Sequence, residues 1–271
     1  MRLLRAALAA VPLVAACSSA APSQEFVSSS GSAASVAPFV QLRFAQAEAT
    51  VADVPQGPDQ GNLYATGIIE VANVAYEKQI VVHYQGPSGW VDANASYFGP
   101  SANPANELWS FRTGAYPYLP EFSGEAVYFA VEYTANGVTV WDNDGGANYV
   151  VGVRGGDGVP ECPVALGEDA LKVSDYALTS GASGLTFAGH VVLKNLAYQK
   201  TVNVVATTDD WATTLIVPAS YAGAEPGSLE DWSFSATLPS NVTIVQFAVS
   251  YEANGTTYWD DDLGTNYQVK P

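Results

Sequence analysis

Phe129-Ala-Val-Glu-Tyr-Thr-Ala-Asn-Gly137 returns later in the chain as Phe247-Ala-Val-Ser-Tyr-Glu-Ala-Asn-Gly255. In the first stretch Val127, Phe129, Val131 and Tyr133 alternate with Tyr128, Ala130 and Glu132, the period-two pattern of a strand with one buried face. Val245, Phe247, Val249 and Tyr251 repeat it. Each stretch ends in Asn-Gly, the pair that most readily supplies the two positive φ angles of a type I′ turn, so the chain should double back as a second strand. Two β-hairpins are predicted, and with them a duplicated chain.

Working outward, the duplication extends in both directions. Asn73-Val-Ala-Tyr-Glu-Lys78 returns as Asn195-Leu-Ala-Tyr-Gln-Lys200, Ala95-Ser-Tyr97 as Ala219-Ser-Tyr221, and Trp109-Ser-Phe111 as Trp232-Ser-Phe234. Trp141-Asp142 returns as Trp259-Asp260, and Gly146-Ala-Asn-Tyr149 as Gly264-Thr-Asn-Tyr267. All six tryptophans fall into three matched pairs. Each copy has about 105 residues, enough for its own core. Leu63–Val74, Gln79–Gln85 and Leu108–Thr113 read as further strands, and no stretch of ten residues keeps helical spacing. Short strands separated by Gly, Pro and Asn turns predict an all-β chain with one β-sandwich per copy. The copies are placed at residues 39–153 and 166–271, joined by the Gly/Pro-rich segment 154–165, which reads as a linker holding Cys162.

Of the 271 residues 48% are apolar and 14% charged, which excludes a disordered acidic tail. Ten Lys and Arg against 27 Asp and Glu give a formal charge of −17. Such a chain lacks the basic face that nucleic acid or an anionic membrane surface demands. Met1-Arg-Leu-Leu-Arg5 and the apolar run to Ala16 read as a secretory signal, too short to span a bilayer. Val14-Ala15-Ala16-Cys17 resembles the bacterial lipobox, in which the Cys becomes the acylated first residue. Residues 17–38, rich in Ser and Ala, then form a tether, and the expectation is an exported cell-envelope lipoprotein that touches membrane only through its anchor. An ordinary signal peptide, with Cys17 a bystander, is the alternative.

The sequence offers little for catalysis. His83 and His190 do not correspond between the copies, and a lone strand histidine reads as a surface or core residue. There is no G-x-S-x-G elbow and no Cys–His pairing with recognisable context. Among 27 acidic residues a glycosidase-like carboxylate pair carries no specificity. No enzyme is expected, and no cofactor. Asp142-Asn-Asp-Gly145 and Asp260-Asp-Asp-Leu-Gly264 look like the start of a calcium loop, but Val153 stands where the bidentate Glu belongs. Asp and Asn also favour plain turns, so no metal is expected.

Aromatic residues are more informative. Tyr76, Trp90, Tyr97 and Trp141 fall at predicted loops or strand ends, matched by Tyr198, Trp211, Tyr221 and Trp259. A flat ring with a negative face complements the axial C–H bonds of a pyranose, while nearby amide and charged groups bond its hydroxyls. Trp109 and Trp232, within predicted strands, read as core.

The stretches V-x-N-x-A-Y-x-K, D-x-W, A-S-Y, W-S-F, F-A-V-x-Y-x-x-N-G and W-D-x-x-x-G-x-N-Y resemble, in order and over nearly both copies, the family 21 carbohydrate-binding modules. These include a fungal glucoamylase starch-binding domain and the glycogen-targeting subunits of protein phosphatase 1. The resemblance implies two immunoglobulin-like antiparallel β-sandwiches that bind α-1,4-glucan without catalysis or an obligatory metal. It implies one site on Trp90 and Trp141 with Asn143 and Asn148, answered in copy two by Trp211, Trp259, Asp261 and Asn266. It implies a second site on Asn73, Tyr76, Lys78 and Tyr97, answered by Asn195, Tyr198, Lys200 and Tyr221. A tyrosine of the fungal module is Ala130 and Ala248 here, which costs the first site a stacking ring. Asp261 in place of Asn loses an amide donor, so copy two should bind more weakly. The phosphatase-gripping motif, a basic residue followed by V-x-F, is not found. A lipoprotein that kept the sandwich for structural or protein-interaction purposes, without sugar binding, is the competing class.

Overall fold

The computed structural model describes residues 38–52, 60–86, 88–118, 125–153, 163–181 and 184–271. The expected signal segment, Cys17, the tether to residue 37 and Cys162 lie outside these residues. The first half contains strands β1 (Val40–Ala52), β2 (Gln60–Ala72), β3 (Lys78–Gly86), β4 (Gly89–Asn94), β5 (Ser96–Pro100) and β6 (Asn106–Arg112). It continues with β7 (Tyr116–Tyr118), β8 (Glu125–Ala135), β9 (Val138–Asp142) and β10 (Tyr149–Val153). Then come β11 (Val164–Leu166), β12 (Leu171–Gly181), β13 (Gly184–Lys194), β14 (Lys200–Thr207) and β15 (Leu215–Pro218). The chain ends with β16 (Ser220–Glu225), β17 (Leu229–Leu238), β18 (Val245–Ala253), β19 (Thr256–Asp260) and β20 (Tyr267–Val269). Among the described residues no helix is long and apolar enough to cross a membrane.

Four antiparallel sheets form two immunoglobulin-like sandwiches. In the first, the sheet β11-β1-β2-β6-β5 faces β10-β8-β3-β4; in the second, β12-β13-β17-β16 faces β15-β14-β18-β19. The alternation read in the sequence sets the inner faces. Val127, Phe129, Val131 and Tyr133 are wholly buried, and Val245, Phe247, Val249 and Tyr251 match them. They pack on Leu42, Leu63, Ile69 and Val82 in one core, and on Phe187, Val191, Leu193 and Val204 in the other. Asn136 and Gly137 take φ of 51° and 72°, Asn254 and Gly255 of 52° and 76°, so both hairpins turn as expected.

Two glycines mark where each first strand bulges. The register slips between Leu42 and Phe44, and again between Val173 and Asp175. Gly67 and Gly189 sit against these bulges, where a Cβ would run into the backbone oxygen of Phe44 or Asp175 and within 2.8 Å of the Phe111 or Phe234 ring. Backbone cannot yield as a side chain can. Gly67→Ala and Gly189→Ala should each lower unfolding free energy by about 2–3 kcal/mol, read from the urea midpoint at unchanged m-value.

The two sandwiches touch. Val164 and Ala165, expected in the linker, lie in β11, which pairs with β1 through Phe44↔Leu166 and Gln46↔Val164. Phe44, Ile68 and Leu108 of the first copy are buried with Val164, Leu166, Val192 and Leu229 in one apolar cluster. Arg43 bridges Glu70 at 3.1 Å and Asp169 at 2.6 Å across the boundary. The register aligns Phe44, Ile68 and Leu108 with Asp175, His190 and Asp231 of copy two, where His190 pairs with Asp231 at 2.9 Å. Copy one therefore docks through this part of its outer face, while copy two docks through Val192 and Leu229 and keeps the His190–Asp231 end of the same face polar.

Candidate functional site

The outer face of β4-β3-β8-β9 carries the first set of aromatics. Opposed residues share a face. The register sets Trp90 against Gln85, Asp92 against His83 and Asn94 against Val81. His83 opposes Ala130, Val81 opposes Glu132, and Glu132 opposes Trp141. Trp90 and Trp141 are about half exposed, at 54% and 50%. They share the face without being neighbours, because β3 and β8 lie between them, three strand spacings or about 14 Å across the sheet, and the register offsets them by four residues, about 13 Å, along it. His83 occupies the gap, its ring 4.8 Å from that of Trp141 and tilted by 33°.

The second copy builds the corresponding face differently. Trp259 opposes Ser250, which opposes Asn203, and Val205 stands where His83 is. By register the counterpart of Trp90 is Thr214. Trp211 instead lies in the β14–β15 loop with φ of 66° and is less exposed, at 37%. Its N–H donates to Thr207 Oγ1 at 3.0 Å, and Asp209 accepts from Thr213 N–H at 2.9 Å. Hydrogen bonds from Thr213, its backbone N–H foremost, and from Thr207 hold the Asp209 carboxyl below its ordinary range. The sequence pairing of Trp90 with Trp211 is thus not a pairing in space, since the longer loop moved the indole.

The W-D-x-x-x-G-x-N-Y segment is a turn whose groups are spent on the fold. Asn143 Oδ1 accepts from Gly146 N–H at 3.0 Å, and Asp261 Oδ1 from Gly264 N–H at 2.9 Å. Asn148 and Asn266 take φ of 63° and 60° and donate their N–H back to the carbonyls of Asn143 and Asp261. At this bond the exchange of Asn for Asp is neutral, because only an acceptor is used. Asp142, which resembled a calcium ligand, accepts from Leu42 N–H at 2.6 Å and from the Tyr149 hydroxyl at 2.9 Å. Asp260 accepts from Val173 N–H and the Tyr267 hydroxyl, both at 2.7 Å, with Lys172 Nζ at 3.4 Å. Burial pushes the Asp142 carboxyl up against these bonds, and pushes the Tyr149 and Tyr267 phenols up further, helped by the neighbouring carboxylates.

The second set of aromatics is duplicated almost bond for bond. Lys78 Nζ donates to Asn73 Oδ1 at 2.6 Å and Glu107 Oε2 at 2.7 Å; Lys200 Nζ meets Asn195 and Glu230 at the same distances. The indole N–H of Trp109 donates to Glu107 at 3.3 Å, and that of Trp232 to Glu230 at 2.9 Å. Tyr97 meets Trp109 edge-on at 5.9 Å, and Tyr221 meets Trp232 at 6.3 Å. Asn136 and Asn254 donate to the carbonyls of Val74 and Leu196, fixing the loop from the other side. On that braced loop Tyr76 and Tyr198 stand fully in solvent. Each copy thus shows a free phenol on a rigid polar frame with a half-exposed tyrosine on the next sheet.

The profile of the family described as Carbohydrate/starch-binding module (family 21) matches residues 49–152 and again residues 167–270. The chain belongs to this carbohydrate-binding family. Curated relatives include protein phosphatase 1 regulatory subunit 3B of Homo sapiens, 40% identical over 87 residues and covering 30% of either chain. Glucoamylase 1 of Rhizopus oryzae is 36% identical over 113 residues, 37% of this chain and 18% of the enzyme. The chain thus spans about a third or less of the length of these relatives. Among solved structures, the starch-binding domain of Rhizopus oryzae glucoamylase, determined with beta-cyclodextrin and maltoheptaose, is 30% identical. It matches over 38% of this chain and 95% of its own, with a TM-score of 0.32.

The roles of five residues around these sites escaped sequence reasoning. Glu107 and Glu230 both stand two places before W-S-F, a signal that E-x-W-S-F in both copies could have given. Trp109 and Trp232, expected in the core, are only partly buried, because each N–H must reach that glutamate and each ring edge its tyrosine. His83 left no signal, since its meaning depends on a neighbour 58 residues away.

Proposed function

We propose that the chain binds α-1,4-glucan, starch or glycogen, without catalysis, through two family 21 modules on an envelope-anchored lipoprotein. The observation that carries this reading is the pair of fully exposed tyrosines, Tyr76 and Tyr198, held over the same Lys–Asn–Glu–Trp frame in both copies. One exposed ring alone would mean little, but both copies repeat the same pair, Tyr76 with Tyr97 and Tyr198 with Tyr221, and repeated exposed rings mark a contact surface. Asn73 and Asn195, exposed on the same loop, offer polar groups for sugar hydroxyls, while Lys78 and Lys200, with side chains only 5% exposed, hold those asparagines in place. On the other face Trp141 with Asn148, and Trp259 with Asn266, supply a second contact, with Trp90 on the far strand β4 and Trp211 in its loop as separate rings. The relatives support the glucan class, since one is a glucoamylase.

The test is co-sedimentation of the purified chain from residue 18 onward with insoluble starch, alongside tryptophan emission during maltoheptaose titration. Retention on starch and a saturable emission change are expected. No retention, with no change against maltoheptaose or β-cyclodextrin, would leave the non-binding lipoprotein as the better reading. For the anchor, the full chain should incorporate labelled palmitate in a bacterial host and lose it in Cys17→Ser. Export of unlabelled, soluble protein would refute the lipobox.

A further inference from the structure

His83 is held from three sides. Its Nδ1 lies 2.6 Å from Asp92 Oδ1 on β4, and its Nε2 lies 3.2 Å from Glu132 Oε2 on β8. Thr134 donates to the other oxygen of Glu132 at 3.3 Å, aiming the carboxylate at the ring. The third neighbour is the Trp141 indole of β9, uncharged and 4.8 Å away. On β3 itself the residues sharing this face, Val81 and Gln85, carry no charge. Ala130 opposes His83 on β8 and is 6% exposed although it faces outward. A larger side chain there would stand between ring and indole. The alanine that costs the first site a tyrosine thus leaves room for another contact.

A neutral imidazole has one N–H, so it donates to only one of the two carboxylates and turns a lone pair on the other. A protonated imidazole donates to both, in charge-assisted bonds, and sets a cation against the indole. Histidine is the side chain that makes this change in the near-neutral range. We propose that His83 is a positioning residue for Trp141: protonation locks it between Asp92 and Glu132 and pins the indole, so that sugar binding by the first copy, unlike the second, tightens in acid. The second copy is a built-in control. At the same register it has Val205 for His83, Ile216 for Asp92 and Ser250 for Glu132, none of which titrates. The binding half of this inference rests on the glucan reading above, while the coupling of His83 to Trp141 does not.

The experiment uses the chain from residue 18 onward with Tyr198→Ala and Trp259→Ala to silence both faces of the second copy. Maltoheptaose affinity should rise several-fold from pH 8 to pH 5. His83→Gln should flatten the profile near its pH 8 value, and His83→Arg, charged throughout, should hold the tighter binding at pH 8. Without sugar, the emission assigned to Trp141 by difference from Trp141→Phe should shift with one proton over the same range, and not in His83→Gln. A pH dependence that survives His83→Gln, or Trp141 emission that stays flat, overturns the proposal. Sugar binding with equal affinity at both pH values overturns it while the glucan reading stands. Absent sugar binding, with emission that still titrates, supports the coupling and sinks the glucan reading.

Discussion

Tyr76→Ala combined with Tyr198→Ala should release the protein from insoluble starch, weakening retention by at least about a hundredfold while the unfolding midpoint stays within a degree or two. The reasoning starts from exposure. Both rings are fully in water, so their removal empties no core and leaves no buried partner, and surface changes of this kind shift stability by about 0.5 kcal/mol or less. A central aromatic contact carries about 2 kcal/mol of binding, some thirtyfold in affinity. Two sites on one chain reinforce each other through effective concentration, so losing both costs more than either alone on a polymer. On short maltoheptaose, which engages one site at a time, each single variant should show only its own loss. The comparison of polymer with oligosaccharide therefore separates avidity from intrinsic affinity. If the double variant sediments with starch as before, this ridge is not the binding surface and the indole face must carry it. Lys78→Ala would be a poorer probe, because it strands the half-buried Glu107 and mixes stability with binding.

Asp260→Ala should destabilise the second sandwich by about 3–5 kcal/mol, and Asp142→Ala the first by about 2–4 kcal/mol. Both carboxylates hold the backbone N–H of the first strand of their own sandwich and a buried tyrosine hydroxyl, so both truncations orphan two donors. The second copy loses more, because Lys172, 3% exposed, would be left as a buried ammonium without its carboxylate. Denaturant titration checks this, with Asp142→Asn as control. The amide keeps one acceptor and should cost less than half as much. Equal, small losses at both positions would mean that the strand amides find water instead.

Much of this was legible in the sequence. The alternation around Phe129 and Phe247 and the Asn-Gly pairs fixed two hairpins, since burial period and turn chemistry are local. Repetition then extended one hairpin to two whole sandwiches. The exposed aromatics at Tyr76, Tyr97, Tyr198 and Tyr221 were legible as well, because each sits at a strand end or loop that a core cannot cover. Trp109 and Trp232 pack against the two cores as expected, but only in part. A strand position says which way a side chain points, not that its indole N–H donates to a glutamate two residues before it.

Composition, repetition and turn residues thus determined by themselves that this chain makes two antiparallel sandwiches with matched aromatic ridges, all of it set by near neighbours. Tertiary structure alone decided which equal-looking residues are equivalent. Trp211 is displaced from the place of Trp90 by a longer loop, and Asp142 serves the fold through a strand 100 residues away. Phe44 docks the second sandwich where Asp175 faces water. His83 gains a role only when three other strands bring Asp92, Glu132 and Trp141 around it. Such contacts join residues that chain distance keeps apart, and no local pattern carries them.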